Sequence, residues 1–409
     1  MTSTIERIVI IGAGQASGHA CKTLRSEGYE GRLTVIADEP HDFYERPPLS
    51  KGVIVDQEPL PRLFPDDSQA ALNIDWRRPC RATEIHRDAR EVELNDGSRL
   101  VYDRLLIATG SRPRLPTNAW SKIDNVLTLR SWDDATRLRQ RLSTSRRVGI
   151  IGGGWIGLEI ASSARKLGIE VDVFERAASL CGRSIGPEVA EYIQALHLRN
   201  GVGLHLARQE IQLDGDGDGD GDGDGDGRIS VSADGQTQPP YDCVVVGVGV
   251  DINLELARAA GLDTAQGIVI DAAGRTSDPA VFAAGDVSQH PHLGLCLQSW
   301  AYAQNQAQVA ARAMLGQDAH YDEPAWLWSD QHGVNIQILG IPRGETRCVQ
   351  RSDPQGPVFF YLDADDRLVQ MVAFDQPRAI KLGKRWLAAS RELDAKALAD
   401  PDFNLMQLR

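Results

Sequence analysis

The sequence predicts an α/β fold with two Rossmann-like dinucleotide-binding domains and a smaller C-terminal α+β domain. Three observations predict it. A strand–glycine turn–helix–strand unit opens the chain, and the same unit recurs about 140 residues later. The segment 323–409 then carries strand-like runs followed by a helical one.

The first unit reads "RIVIIGAGQASGHACKTLRSEGYEGRLTVIADE". Residues 7–11 form a buried-strand run, and Gly12, Gly14 and Ser17-Gly18 open a helix over 16–27. A second strand over 32–37 ends in Asp38 and Glu39. A dinucleotide site needs this order for plain reasons. Glycines let the backbone approach a pyrophosphate, the helix N-terminus offers it free N–H groups, and the strand-end carboxylate accepts from ribose hydroxyls. Ser17 stands where a third glycine would pack helix on strand, and its small side chain predicts tolerance.

The second unit, "RRVGIIGGGWIGLEIASSARKLGIEVDVFERA", keeps the third glycine. Its strand is 147–151, its glycines are Gly152, Gly153, Gly154 and Gly157, and its strand-end acid is Glu175. Two such units in one chain predict electron passage between two cofactors. "YDRLLIATGSRPR" predicts a strand ending in Thr109 and Gly110 at a domain crossover, and "VFAAGD" a strand ending in Gly285 and Asp286. Three further strands are expected within "VNIQILG", "PVFFYL" and "RLVQMVAF", with a helix after them.

Composition bounds the function. Hydrophobic residues are 42% and charged residues 25% of the chain, so disorder is not expected. The net charge of −13 argues against a nucleic-acid partner, although seven aspartates of one Asp-Gly tract supply more than half of it. No apolar run approaches the ~18–20 residues of a membrane span, and the opening "MTSTIERIVIIGAG" does not read as a signal peptide. A cytoplasmic location is expected. The six cysteines, Cys21, Cys80, Cys181, Cys243, Cys296 and Cys348, lack any paired spacing and read as buried free thiols. The histidines show no ligand spacing, and no metal site is expected.

Four further stretches, "FYERPPLSKGV", "TLRSWDDA", "LQSWAYAQNQAQVAARAMLG" and "PAWLWSDQHGVNIQILG", complete a resemblance. With the two glycine turns and the TG and GD strand ends, they look like the FAD-dependent NADH:ferredoxin reductases of bacterial Rieske-type aromatic-ring dioxygenases. The related reductases of P450 systems are similar. The resemblance covers nearly the whole chain and implies a glutathione-reductase-like fold. Residues 1–112 and 248–322 would bind FAD, 113–247 would bind NADH, and 323–409 would form the C-terminal domain.

Carried over position by position, the resemblance implies that Gly12, Gly14, Gln15 and Ala16 face the FAD pyrophosphate. Asp38 or Glu39 would hold the adenosine ribose, and Ala82 would touch adenine through its backbone. Arg46 and Lys51 would lie against pyrophosphate and flavin, Thr109 and Gly110 would line the cofactor, and Arg130 would lie near it. Asp286 would take the ribityl chain and Trp300 would flank the isoalloxazine. Gly152, Gly154, Ile156, Gly157, Glu175 and Arg183 would bind NADH, with Gly247 and Gly249 beside the nicotinamide. Lys51 and Glu159 are the catalytic candidates: Glu159 resembles a carboxylate near the nicotinamide that pairs with Lys51. Its bland alternative is an exposed acid on a helix, just as Arg46 and Lys51 could be a solvated pair, Trp300 plain core, and Trp326 and Trp328 packing.

The implied mechanism uses no protein nucleophile. Hydride passes from NADH to the flavin, the protein orients and excludes water, and electrons go singly to a 2Fe–2S ferredoxin. Thiol routes of this fold need a cysteine pair or a cysteine near Phe43, and the sequence has neither. Glu175 favours NADH by repelling a 2′-phosphate, although the adjacent Arg176 could clamp one. Arg378, Lys381 and Arg385 share a helix face that either docks an acidic ferredoxin or is simply solvated. A P450-ferredoxin or rubredoxin reductase, or a non-catalytic NADH-sensing flavoprotein, are the alternatives.

The tract Asp214–Gly227 alternates Asp and Gly. It lacks the position-12 acid of an EF-hand loop and the apolar positions of a β-roll, so it reads as an expanded, solvated loop on a β-hairpin.

Overall fold

A computed structural model describes residues 5–215 and 227–408. The chain divides into two compact units. One comprises 1–46, 60–112 and 250–323; the other comprises 47–59, 113–249 and 324–409.

The first unit is built on a five-stranded parallel sheet. Its strand order is Val281–Ala283, Arg104–Ile107, Arg7–Ile11, Arg32–Ile36, Ile74–Arg77. The apolar run "IVII" is explained by burial on both faces. Ile8 and Ile10 point to a core with Ala20 and Leu24 of helix Gln15–Ser26 and with Ala307 and Ala311 of helix Trp300–Met314. Val9 and Ile11 point the opposite way, to a core with Ile85, Val92 and Leu94. Those three belong to an antiparallel three-stranded sheet, Ala82–His86, Glu91–Leu94 and Arg99–Val101. Period-two alternation with both faces covered is what a parallel strand requires.

The second unit repeats the plan. Its parallel sheet runs Val202–His205, Glu170–Phe174, Arg147–Ile151, Cys243–Val246, Val126–Leu127. An antiparallel pair, Ile211–Gly215 with Ile229–Ala233, sits where the hairpin was expected. Asp214 and Gly215, the first pair of the Asp-Gly tract, are the last residues of the hairpin's first strand; residues 216–226 of that tract lie outside the described residues.

The C-terminal segment of this unit is a five-stranded antiparallel sheet. Its order is Trp326–Gln331, Val334–Gly340, Leu368–Phe374, Val358–Leu362, Arg347–Arg351. Three strands match the expected runs. The first and last were not expected, and the first carries its own reason: Ser329 and Gln331 are polar yet fully buried, so no apolar alternation marks the strand. One face of the sheet shares a core with the helices Trp155–Lys166 and Pro187–Arg199, through Leu158, Val189, Ile193, Ile336, Phe359 and Val372. The other face takes the helix Pro377–Ala389 through Ile380 and Trp386. A Cβ at Gly383 of that helix would stand 2.7 Å from Met371 Sδ, so glycine permits the close approach.

Candidate functional site

The first glycine turn ends the strand Arg7–Ile11. Gly12 has φ +107°, and a Cβ there would stand 2.3 Å from the Ala108 carbonyl oxygen. The turn can therefore be made by glycine alone. Gly14 is the helix N-cap, supplies no side-chain cap, and has open space where its Cβ would be. The helix thus presents uncapped N–H groups to an open cradle. Gln15 Oε1 and Ser17 Oγ are buried beside it without a hydrogen-bond partner among the described residues. The open cradle and the uncapped N–H donors together fit a bound pyrophosphate. Ser17 is fully buried within an intact helix, as its small size predicted.

At the end of the next strand Asp38 is exposed, with Arg81 Nη2 at 3.7 Å. Glu39 turns back instead: it accepts from Tyr44 Oη at 2.5 Å and pairs with Arg46 Nη2 at 3.0 Å. Ala82 opens the antiparallel sheet of the same unit. Thr109 and Gly110 are fixed by Asn253, whose side-chain amide donates to Thr109 O at 2.8 Å and whose N–H donates to Gly110 O at 3.1 Å. Asp286 sits in the turn after Val281–Ala283 and accepts from Ser111 Oγ at 2.9 Å. Trp300 opens its helix under the Ser299 cap and donates an indole hydrogen bond to Glu45. Burial raises the Glu45 carboxyl above the ordinary range, and the Trp300 bond opposes that rise. Glu45 is a partner that sequence reasoning missed, although it lies inside the quoted "FYERPPLSK".

The second glycine turn has the same build. Gly152 has φ +111°, with the Gly247 carbonyl oxygen 2.4 Å from a would-be Cβ, and Gly157 would place one 2.2 Å from Gly152 O. Gly154 is an N-cap without a side-chain cap. Ile156 in the first helical turn is 45% exposed, an apolar surface beside the open N-terminus. Trp155 Nε1 is buried there without a hydrogen-bond partner among the described residues. Glu175 bridges the turn: its carboxylate accepts from Gly153 N and from Ala177 N, each at 2.7 Å. Arg183 reaches Val248 O at 3.4 Å, next to Gly249 at φ +112°. Arg130 precedes a capping box in the same unit, its N–H donating to Asp134 Oδ2 at 3.0 Å.

Lys51 and Glu159 come together. Lys51 Nζ stands 2.8 Å from Glu159 Oε2, and the two side chains are 21% and 4% exposed. Glu159 is therefore a buried, paired carboxylate and not an exposed acid. Lys51 also donates to Pro47 O at 3.1 Å, which ties the ammonium to the Pro47–Ser50 turn. Glu159 Oε2 accepts from Ser50 Oγ, and Oε1 accepts from Ser329 Oγ at 2.7 Å. Neither serine was singled out from sequence, yet Ser50 lies in "PPLSK" and Ser329 in "WLWSDQ".

A family model described as pyridine nucleotide-disulphide oxidoreductase matches residues 6–312. The chain belongs to that family. A second model, described as reductase C-terminal, matches residues 326–409. The chain is 40% identical to the ferredoxin–NAD(+) reductase component of the anthranilate 1,2-dioxygenase system of Burkholderia cepacia, covering 97% of this chain and 98% of that one. It is 34% identical to the corresponding component of the p-cumate 2,3-dioxygenase system of Pseudomonas putida, covering 99% of each. Among solved structures it resembles a covalent putidaredoxin reductase–putidaredoxin complex, with TM-score 0.91 and 31% identity over 99% of this chain and 98% of that one. It also resembles the ferredoxin reductase for the CYP199A2 system of Rhodopseudomonas palustris, with TM-score 0.89 and 33% identity over 98% and 99%.

The pyridine nucleotide-disulphide oxidoreductase name points to disulphide chemistry, whereas the cysteines of this chain stand unpaired. All six cysteines are free; Cys21, Cys181 and Cys243 are buried and the other three half-buried. Burial pushes Cys243 and Cys296 up to about 11, away from the thiolate that such chemistry needs. Among the described residues, one group, Glu84, His86 and Glu93, brings three possible metal ligands together. It lies on an antiparallel hairpin where Arg99 already pairs with Glu93 at 2.8 Å. Arg378, Lys381 and Arg385 are all exposed on one face of their helix, with Ala379, Ile380, Gly383 and Trp386 buried on the other. Trp326 and Trp328 stack on each other with centroids 5.4 Å apart, under a Lys384 ammonium 4.7 Å from the Trp326 ring. No helix of the described residues is long and apolar enough to cross a membrane.

Proposed function

We propose that this chain passes electrons from NADH through FAD to a 2Fe–2S ferredoxin, as the reductase component of a multicomponent aromatic-ring dioxygenase system. The observation that carries the reading is the pair of glycine turns. Each closes a parallel strand by a close approach that glycine makes possible, and each opens an uncapped helix N-terminus. The 40% identity to a dioxygenase-system reductase supports the choice of system. The likeness to the reductase for the CYP199A2 system supports a second reading, in which the ferredoxin serves a P450.

Residues 1–112 with 248–322 form the FAD domain in this reading, 113–247 the NADH domain, and 323–409 the C-terminal domain. Gly12, Gly14, Gln15 and Ala16 hold the pyrophosphate, with Arg46 as its cation. Asp38 or Glu39 takes the adenosine ribose and Ala82 the adenine. Thr109, Gly110 and Arg130 line the cofactor, Asp286 accepts from the ribityl hydroxyls, and Trp300 lies beside the ring system. Gly152, Gly154, Ile156, Gly157 and Arg183 hold NADH, and Glu175 accepts from its ribose. Gly247 and Gly249 turn the chain beside the nicotinamide. When bound, the flavin supplies the chemistry that converts one hydride from NADH into two single electrons for ferredoxin. The chain's own work is to orient the two cofactors, to keep water out, and to set charge around the ring. Lys51 supplies the positive charge, and Glu159 fixes where that charge sits. The exposed Arg378, Lys381 and Arg385 form the surface that steers an acidic ferredoxin, and the protein works in the cytoplasm.

The test is an anaerobic titration followed by a coupled assay. NADH is expected to bleach the flavin of the purified yellow protein, and cytochrome c reduction is expected only once ferredoxin is added. A colourless protein that takes up no FAD overturns the reading.

A further inference from the structure

The Lys51–Glu159 pair does not stand alone. Its carboxylate terminates a chain of buried hydrogen bonds that enters from the C-terminal sheet. Ser329 Oγ lies 2.7 Å from Glu159 Oε1, Gln331 Nε2 lies 2.9 Å from Ser329 Oγ, and His197 Nε2 lies 2.8 Å from Gln331 Oε1. His332 Nε2 lies 3.1 Å from His197 Nδ1. Ser329, Gln331 and His197 are each 0% exposed, so water offers them no substitute partner.

The direction of every bond follows from the inventory of donors. An ionised carboxylate only accepts, so Ser329 spends its one hydroxyl hydrogen on Glu159. Its oxygen must then accept from the Gln331 amide nitrogen, which fixes the amide's orientation. Gln331 Oε1 only accepts, so His197 carries its proton on Nε2. A neutral His197 then has Nδ1 as its acceptor, and His332 donates to it. Four successive donors point at one oxygen of Glu159. His332 is anchored in turn, since its backbone N–H donates to Ser162 Oγ at 2.7 Å on the helix that carries Glu159. Burial lowers the pKa of His197. It lowers His332 to about 4, assisted by His197 and Arg165, so both rings are neutral near pH 7 and the chain keeps its direction.

We infer that Ser329, Gln331 and His197 are positioning residues for the Lys51–Glu159 pair. They lock the Glu159 carboxylate in one orientation, so that Oε2 presents a fixed face to Ser50 and Lys51. Aligned hydrogen bonds polarise one another in a low-dielectric interior, which strengthens the lock. In this role the buried polar residues of "WLWSDQ" are parts of the active site supplied by the C-terminal sheet. The inference rests on the proposed role of Lys51 in setting charge at the flavin.

The test uses FAD-loaded enzyme. Ser329→Ala is expected to shift the reduced-to-oxidised flavin ratio at a fixed poise about tenfold toward oxidised, which for a two-electron couple is about 30 mV. Its kcat is expected to fall while KM for NADH stays within about twofold, and Ser329→Thr is expected to restore both. Gln331→Leu leaves Glu159 untouched and covers the case in which Ser329→Ala does not fold; about a threefold shift in the same direction is expected. In a Glu159→Gln background the Ser329→Ala effect is expected to vanish, the signature of action through Glu159. Independently of flavin, the ¹⁵N shifts of His197 are expected to report a neutral ring protonated at Nε2. An unchanged potential in Ser329→Ala and Gln331→Leu, or a His197 protonated at Nδ1, overturns the inference. Lys51→Met run in parallel separates the failures. A shifted potential in Lys51→Met with none in the other variants refutes only the relay, whereas an unchanged one refutes the role of Lys51 and the relay with it.

Discussion

The Lys51–Glu159 pair has an asymmetry that stability measurements can read. Glu159 is 4% exposed and Lys51 is 21% exposed. Removing one partner of a fully buried pair costs about 3–5 kcal/mol, because it strands the other charge away from water. Lys51→Met strands the buried carboxylate, which keeps its Ser50 and Ser329 bonds; these offset part of the loss and leave about 2–3 kcal/mol. Glu159→Gln strands an ammonium that still reaches solvent and the Pro47 carbonyl, so about 1 kcal/mol is expected. The double variant has no stranded charge and is expected to be more stable than Lys51→Met alone. For a unit of this size, each kcal/mol moves the melting temperature by about 2–4 °C. The assay is calorimetry with saturating FAD, so that cofactor loss does not mimic unfolding. Lys51→Met melting at or above Glu159→Gln would refute the reasoning, since it would mean that the buried anion does not depend on its cation.

Three further outcomes follow from the same geometry. Burial lowers His19 and His332 to about 4, while an unfolded histidine titrates near about 6.5. The unfolded chain therefore binds more protons as pH falls, and stability present above about 6.5 is lost progressively down to about 4. With solvent screening, about 1 kcal/mol per histidine is expected to disappear between pH 7.5 and 5. His19→Gln and His332→Gln should each flatten the urea-midpoint profile over that range, and profiles parallel to wild type count against the assignment. Glu175→Ala removes two bonds to backbone N–H groups and, in the proposed reading, the acceptor for the NADH ribose. It is expected to raise KM for NADH about tenfold and to narrow the preference over NADPH; a wild type with higher kcat/KM for NADPH would sink this reading. Lys381→Glu with Arg385→Glu is expected to slow ferredoxin reduction about tenfold at low salt and to weaken its salt dependence, with ferricyanide reduction by NADH unchanged. A wild-type rate and salt profile would remove the docking role from that helix face.

Both glycine turns were legible because local chain geometry dictates them. Gly12 and Gly152 have positive φ and backbone within 2.4 Å of a would-be Cβ, so the residue type itself carries the information. The alternating strand Arg7–Ile11 was legible for a related reason: two covered faces leave an unbroken apolar run. Glu159 was half legible. Its spacing from Gly154 placed it in the first turns of a helix, but whether that face met solvent depended on a segment about 170 residues away. The relay behind it was illegible, because its members lie in three stretches and each looks ordinary there. Ser329 and Gln331 even hid the strand that holds them, since polar side chains on a buried face erase the period-two pattern by which a strand is recognised.

That erasure is informative in the reverse direction. A strand that buries a serine and a glutamine in place of two apolar side chains forgoes about 1.5–3 kcal/mol of burial at each position. Its polar groups recover this only when every one of them is satisfied. Here the chain from His332 to Glu159 satisfies the Ser329 hydroxyl, the Gln331 amide and both ring nitrogens of His197. The same exchange would have no purpose in a sheet whose task was packing alone. In the inferred positioning role it has one: the Glu159 carboxylate is held at a fixed angle beside Lys51, 2.8 Å away.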